Sequence, residues 1–406
     1  MAGFIIRGGK KLNGEIRVSG SKNAALPIIF SSIAIPGKSC LSGVPYISDV
    51  DIALDILRSM GAVIYRSDGE LIINTETLEY SEPPMTTVSR IRASSYLIGA
   101  CLSRFGRAKI QRFGGCNFDA RPIDMHLYAA EKFGARIEND EIFCKRLHGA
   151  DLYFDKVSVG ATINAIIMAT SAVGDSRIYG YAREPHVIAL VDFLNSAGAD
   201  INLRDDCVYV SGRSLTSATA KIIPDMIEAG TYVALSLITD SDISVLNADA
   251  DHLFSFLNSL KDGGAEIYLT SDKLAVGGSI SRPLAVSTAP YPAFPTDLQP
   301  IVAPLMAAAC GGVISEGIFA SRFGYLNELS KFGVEYRLGG ASAEIFKSTI
   351  RPARATVPDL RGGAALVLAA LSAEGESIIE NADLIKRGYD NVVKKLRQIG
   401  ADVKEI

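Results

Sequence analysis

The sequence predicts a mixed α/β (α+β) protein of two domains, each built from three copies of a βαβαββ unit. Two observations carry that reading. A helix-end pattern recurs six times, from Leu57-Arg58-Ser59-Met60-Gly61-Ala62 to Leu396-Arg397-Gln398-Ile399-Gly400-Ala401. Its glycines, at 61, 134, 198, 264, 333 and 400, stand 73, 64, 66, 69 and 67 residues apart. Each reads as a left-handed cap that stops an amphipathic helix. An alternating strand follows each cap, as in Ala62-Val63-Ile64-Tyr65, and turn residues lead on to a second strand, as Ser67-Asp68-Gly69-Glu70 leads to Leu71-Ile72-Ile73. A solenoid is the other architecture with such a period. Units this long, with apolar helical runs such as 161–172, suit closed domains better.

Taken in order, the chain opens on an apolar stretch, Phe4-Ile5-Ile6 with Gly14-Glu15-Ile16-Arg17-Val18, that precedes the first helix and has no unit of its own. It is expected to complete the sixth copy, which would bring both ends of the chain into one domain. The boundary is expected near 225–230, midway between the third and fourth copies. The domains are then 1–20 with 228–406, and 21–227, joined by two crossings with a cleft between them.

At 406 residues the chain is long enough for two or more domains, and with 48% hydrophobic and 21% charged residues it has an ordinary soluble composition. A net charge of −4 gives no general attraction to nucleic acid or to an anionic membrane, so an anionic ligand must be met by locally gathered Lys and Arg. The cysteines at 40, 101, 116, 144, 207 and 310 include no C-x-x-C, and the histidines at 126, 148, 186 and 252 show no metal-ligand spacing. Scattered thiols of this kind argue for a reducing cytoplasm rather than a disulfide framework. The first residues lack the apolar core of a signal peptide, and the longest apolar runs fall short of the ~20 residues a membrane span needs.

The chemistry gathers at loops. Gly114-Gly115-Cys116 begins a stretch that runs through Arg121-Pro122-Ile123-Asp124. Glycines let a backbone approach a ligand, and a thiol near a cation can act as nucleophile or acid. Read alone, a buried or idle thiol is the commoner case. Lys22 and Asn23 stand at the first crossing, and Arg92 opens a helical run. Asp155-Lys156-Val157-Ser158-Val159-Gly160 leads into a helix whose N–H groups could hold a phosphate. Asp297, Arg361 and Arg387 occupy corresponding edges of later copies. Each charge alone reads as solvated; together they suggest a shared cleft. Two other motifs are set aside. Gly37-Lys38-Ser39 lacks the leading glycine of a phosphate-binding loop, and Asp249-Ala250-Asp251-His252 reads as a helix cap rather than a metal site.

The ordered set G-S-K-N-A-A-L-P, R-A-S, G-G-C-x-x-x-A-R-P-I-D, D-K-V-S-V-G-A-T, A-R-E-P, F-P-T-D-L-Q, D-L-R and R-G-Y resembles the enolpyruvyl transferases over essentially the whole chain. The resemblance implies an inside-out α/β barrel-like fold, no metal or organic cofactor, and two substrates, phosphoenolpyruvate and UDP-N-acetylglucosamine. It implies the first committed step of peptidoglycan synthesis and sensitivity to fosfomycin. By the same resemblance Cys116 is the proton donor. Lys22, Arg121 and Arg387 hold the phosphate and carboxylate of phosphoenolpyruvate, with Arg361 nearby, and Asp297 takes the hydroxyl proton. Asn23, Arg92, Arg121, Pro122, Ile123, Asp124, Met125, Lys156, Ser158, Val159, Gly160 and Ile318 line the nucleotide-sugar site. The chain departs from the family pattern at Asn117, Phe118 and Asp119 after the cysteine, and at His186, Met226 and Lys386. A relative with another hydroxyl acceptor and a silent nucleotide-sugar sensor are the rival readings.

Overall fold

All six helix-end glycines adopt the left-handed backbone that the repeat requires, with φ of 105° at Gly61, 93° at Gly134, 99° at Gly198, 112° at Gly264, 87° at Gly333 and 94° at Gly400. The computed structural model describes residues 3–67, 69–114, 122–270 and 273–406, so Cys116 and Arg121 lie outside the described residues.

The third copy shows the unit without interruption. Strand Asp151–Tyr153, helix Val159–Ser171, strand Asp175–Tyr179, helix Pro185–Ser196 and the hairpin Asp200–Leu203 with Cys207–Ser211 follow in order. Strand Asp175–Tyr179 runs parallel to Asp151–Tyr153 and antiparallel to Cys207–Ser211, with Ile178 level with both Leu152 and Val208. The described residues form six such small sheets, five of four strands and one of three. The three-stranded sheet belongs to the second copy, whose first strand is missing. Pro83 and Pro84 stand ahead of the short helix Met85–Val88 there. Two consecutive residues without N–H donors cannot serve a ladder.

The opening strands divide between two sheets. Gly3–Gly8 lies antiparallel between Gly375–Glu380 and Asp402–Glu405, completing the sixth copy as expected. Asn13–Arg17 instead pairs in parallel with Asp242–Leu246 of the fourth copy. Correspondingly, Ala218–Lys221 pairs in parallel with Lys38–Ser42 of the first copy. The crossings are therefore an exchange of first strands. Each of these strands starts one copy's sheet and then leads into the first helix of the other, Lys22–Ser31 or Met226–Ile238.

The described chain divides into two compact units, 3–19 with 224–406, and 20–114 with 122–223. In each, the first helix of every copy is apolar nearly all round, which marks a helix meant for the interior. In Leu360–Ser372 every residue from 360 to 371 is buried, and in Val159–Ser171 every residue from 161 to 170. A Leu or Ile buried in such a helix contributes about 1.5–3 kcal/mol.

Gly400 has φ of 94° and open space where a Cβ would stand, whereas Gly339 has equal space and an ordinary φ. Gly400→Ala should therefore cost about 1–2 kcal/mol of stability through backbone strain alone. Gly339→Ala should change stability by less than about 0.5 kcal/mol. Urea unfolding of the two variants beside the parent checks this.

Candidate active site

Asp297 lies in a one-turn 3-10 helix, Thr296–Leu298, that feeds the buried helix Gln299–Ala308. Its Oδ2 accepts from Arg361 Nε at 3.0 Å, and its Oδ1 meets Arg322 Nη1 at 2.9 Å. Both arginines are withdrawn from water, at 1% and 3% exposure. The Asp297 side chain stays 27% exposed. A carboxylate pinned from beneath and open on one side can accept a proton from a bound molecule.

The surrounding groups make that arrangement stiff. Arg322 Nη1 also donates to Thr296 Oγ1 at 2.9 Å, and Thr296 Oγ1 donates to Glu316 Oε2 at 3.0 Å. Glu316 Oε1 accepts from the backbone N–H groups of Ile318 at 2.9 Å and Phe319 at 3.1 Å, which fixes the loop holding Ile318. Asp359 caps helix Leu360–Ser372 by accepting from the N–H groups of Arg361 and Gly362, both at 3.0 Å. Burial works against charge on Arg361, but Asp297, with Tyr389 and Asp225, more than reverses this and holds it above its ordinary pKa. Its guanidinium carbon lies 5.3 Å from the centroid of the Tyr389 ring, a cation–π contact. Arg387 ends the 3-10 helix Ala382–Arg387, directly before Gly388 and Tyr389.

The same unit anchors the chain where it crosses. Buried Glu228 accepts from Ser19 N at 2.8 Å and forms an ion pair with Lys395, whose ammonium also donates to Ser19 Oγ at 2.7 Å. Asp225 N donates to Ser19 O at 2.9 Å. Burial pushes the Glu228 carboxyl up, and Lys395 and the Ser19 N–H oppose it.

In the other unit, Lys22 opens helix Lys22–Ser31 with Asn23 beside it, and its ammonium stands 3.7 Å from buried Asp49. Arg92 Nη2 donates to Pro122 O at 3.3 Å, joining two predicted binding segments. Asp124 starts helix Asp124–Lys132, with Ile123 as its cap and Met125 next in line. Lys156 is exposed, ahead of Ser158, which caps helix Val159–Ser171 by accepting from Ala161 N at 3.3 Å. That cap leaves the N–H groups of the first turn, at Val159 and Gly160, available to an anion.

Four residues of these sites were not singled out as site candidates from sequence. Arg322 is the single charge in Ile318-Phe319-Ala320-Ser321-Arg322-Phe323-Gly324-Tyr325, and Asp49 opens an ordinary amphipathic helix; neither stretch forms a recognisable motif. His126 was considered only for metal spacing. Asn164 carried the clearest signal, a lone amide inside the apolar run Ala161-Thr162-Ile163-Asn164-Ala165-Ile166. A buried amide needs partners. Its Oδ1 accepts from Gly99 N at 2.9 Å, and its Nδ2 donates to Ser95 O at 3.0 Å and lies 2.6 Å from His126 Nδ1. Helix Leu97–Phe105, which carries Gly99, approaches helix Val159–Ser171 so closely that a Cβ on Gly99 would lie 2.5 Å from Asn164 Oδ1.

A family model described as EPSP synthase (3-phosphoshikimate 1-carboxyvinyltransferase) matches residues 6–396. The UDP-N-acetylglucosamine 1-carboxyvinyltransferase of Halothermothrix orenii is 38% identical over 421 residues, covering 100% of both chains. UDP-N-acetylglucosamine 1-carboxyvinyltransferase 3 of Caldanaerobacter subterraneus subsp. tengcongensis is 40% identical over 418 residues, again covering 100% of both. Among solved structures, the enolpyruvyl transferase NikO from Streptomyces tendae matches with a TM-score of 0.90 at 24% identity, covering 100% of this chain and 99% of that one. EPSP synthase from Acinetobacter baumannii matches with a TM-score of 0.74 at 16% identity, with the same coverage. Together these structures show the fold, the mixed α/β enolpyruvyl transferase fold of several small sheets.

Removing the carboxylate between two buried guanidiniums should be costly. Asp297→Ala should lose on the order of 3 kcal/mol in chemical unfolding, and a loss below about 1 kcal/mol would mean that the arginines do not need it. Burial, helped by Arg92, pushes His126 down to about 4. Its folded pKa lies below its unfolded value, so its contribution is complete above about pH 6.5 and is lost as pH falls toward about 4. His126→Asn should remove up to about 3 kcal/mol of that pH dependence, measured by unfolding across the same window.

Proposed function

The chain belongs to the UDP-N-acetylglucosamine 1-carboxyvinyltransferase family, and from that premise we infer that it transfers the enolpyruvyl group of phosphoenolpyruvate to UDP-N-acetylglucosamine. The observation that carries the reading is full-length identity of 38–40% to relatives bearing that name. In the reaction, the 3′-hydroxyl oxygen of the sugar bonds to C2 of phosphoenolpyruvate while a proton adds to its methylene carbon. Loss of phosphate and of one proton from that carbon then restores the double bond. The step belongs to peptidoglycan synthesis, and the enzyme works in the cytoplasm on small molecules.

The roles follow from what each group can do. Asp297, fixed by Arg322 and Arg361 and open on one side, takes the hydroxyl proton. Cys116 protonates the methylene carbon and is the group fosfomycin would alkylate. Lys22, Arg121 and Arg387 bind the phosphate and carboxylate of phosphoenolpyruvate. Arg361, out of contact with solvent, serves them through Asp297. The nucleotide sugar is held by Asn23, Arg92, Arg121, Pro122, Ile123, Asp124, Met125, Lys156, Ser158, Val159, Gly160 and Ile318. Prepositioned cations suit two anionic substrates whose charge shifts during reaction. The two units are read as two domains with three copies each, a reading supported by their buried first helices, which suit an inside-out barrel.

Phosphate release from phosphoenolpyruvate, assayed with one acceptor at a time, tests the assignment. Release should require UDP-N-acetylglucosamine; equal or faster release with shikimate 3-phosphate would sink it. Asp297→Asn keeps size and hydrogen bonding but not basicity, so kcat should fall by about 10²–10⁴ with substrate affinity little changed. A drop of less than about tenfold would leave Asp297 a ligand only. Peptide mapping after fosfomycin treatment should find the label on Cys116 and on no other cysteine.

A further inference from the structure

The tautomer of His126 can be deduced from its neighbours. Asn164 Oδ1 must be the atom that accepts from Gly99 N, since an N–H can only donate, and Nδ2 must be the atom that donates to Ser95 O. The remaining N–H of that amide points to His126 Nδ1 at 2.6 Å, so Nδ1 accepts and the ring proton sits on Nε2. His126 is 4% exposed and keeps this neutral form. Its other edge faces the start of helix Val159–Ser171. A Cβ at Gly160 would stand 2.9 Å from Cε1 and 3.0 Å from Nε2, so the ring edge packs against the bare Cα of Gly160.

These contacts join two segments distant in sequence. His126 is the third residue of helix Asp124–Lys132, whose start carries Asp124 and Met125. Asn164 and Gly160 belong to helix Val159–Ser171, capped by Ser158. Both segments belong to the proposed nucleotide-sugar site: the Asp124 carboxylate suits a uracil N–H, and the Lys156-to-Gly160 loop, with free first-turn N–H groups, suits the diphosphate. We propose that His126, locked as its Nε2–H tautomer by Asn164, is a positioning residue that holds these two acceptor-binding segments in register. It rests on the functional reading above and deepens it. His126 sets the spacing between base and diphosphate contacts and takes no part in the chemistry on phosphoenolpyruvate.

The test compares the parent enzyme with His126→Asn and His126→Leu. Asparagine can offer an acceptor to Asn164 where Nδ1 stood; leucine cannot. Leucine should raise KM for UDP-N-acetylglucosamine about tenfold or more and weaken calorimetric binding of UDP alone by a similar factor. KM for phosphoenolpyruvate, and kcat at saturating sugar, should stay within about threefold. Asparagine should recover most of the loss. Equal rises in both KM values, a fall in kcat alone, or asparagine no better than leucine would overturn the proposal. If the leucine variant does not fold, the ring nitrogens of the parent still decide. Nitrogen-15 NMR of the histidine should show the Nε2–H form between about pH 6 and 8, and an Nδ1–H or doubly protonated ring would refute the lock. A parent enzyme that binds UDP but does not turn over the nucleotide sugar would sink the functional reading and leave the UDP comparison to judge His126. A parent that does not bind UDP at all would sink both.

Discussion

Arg322 and Arg361 are almost wholly out of water, and Asp297 stands between them as the carboxylate both contact. Taking a guanidinium out of water is expensive unless an opposite charge and hydrogen bonds replace the solvent. That requirement fixes much around it. The turn Thr296–Leu298 must present the carboxylate, and Thr296 and Glu316 must brace Arg322. Asp359 must start helix Leu360–Ser372 at the point that sends Arg361 inward. One side of Asp297 remains open to a bound molecule. Glu228 and Lys395 repeat the same physics where the chain crosses. There the buried pair holds Ser19 through its backbone N–H and its hydroxyl.

The repeat explains how such positions arise. Each first helix is buried, so each loop that leads into one brings a cap and the first N–H groups to an edge of its unit. Ser158, Asp225 and Asp359 cap three of these helices with side-chain oxygens. Lys22 occupies the first position of another, and Asp297 the turn before a fifth. One architectural rule, a buried helix entered through a polar loop, thus places most of the proposed functional groups. Each crossing thus starts from an edge strand, 13–17 or 218–221, and ends at a buried first helix, Lys22–Ser31 or Met226–Ile238.

Much of this was legible in the sequence because it is local. The six glycines announce six left-handed caps, and apolar runs such as 161–172 announce buried helices. Residues 3–8 lie in the expected sheet: a stretch ahead of the first helix has no unit of its own, and the sixth copy takes it. Residues 13–17 do not, since nothing local says which of two parallel partners a short strand will choose. The repeat predicts a first strand in the second copy too, yet Pro83-Pro84 precedes its short helix and no strand forms there among the described residues. There a local veto outweighs the regularity of the repeat. Arg322 and Asn164 were missed for another reason: their roles exist only through partners distant in sequence, Asp297 in one case, Gly99 and His126 in the other.

The proposed transfer is an addition followed by an elimination, with a methyl group formed and then undone at the carbon that began as methylene. Running the reaction in deuterium oxide and following the product by proton NMR tests this directly. Deuterium is expected in the vinyl position of a UDP-N-acetylglucosamine enolpyruvyl ether, because the added proton comes from an exchangeable protein group. An ether formed without deuterium in that position, or no ether at all, would contradict it.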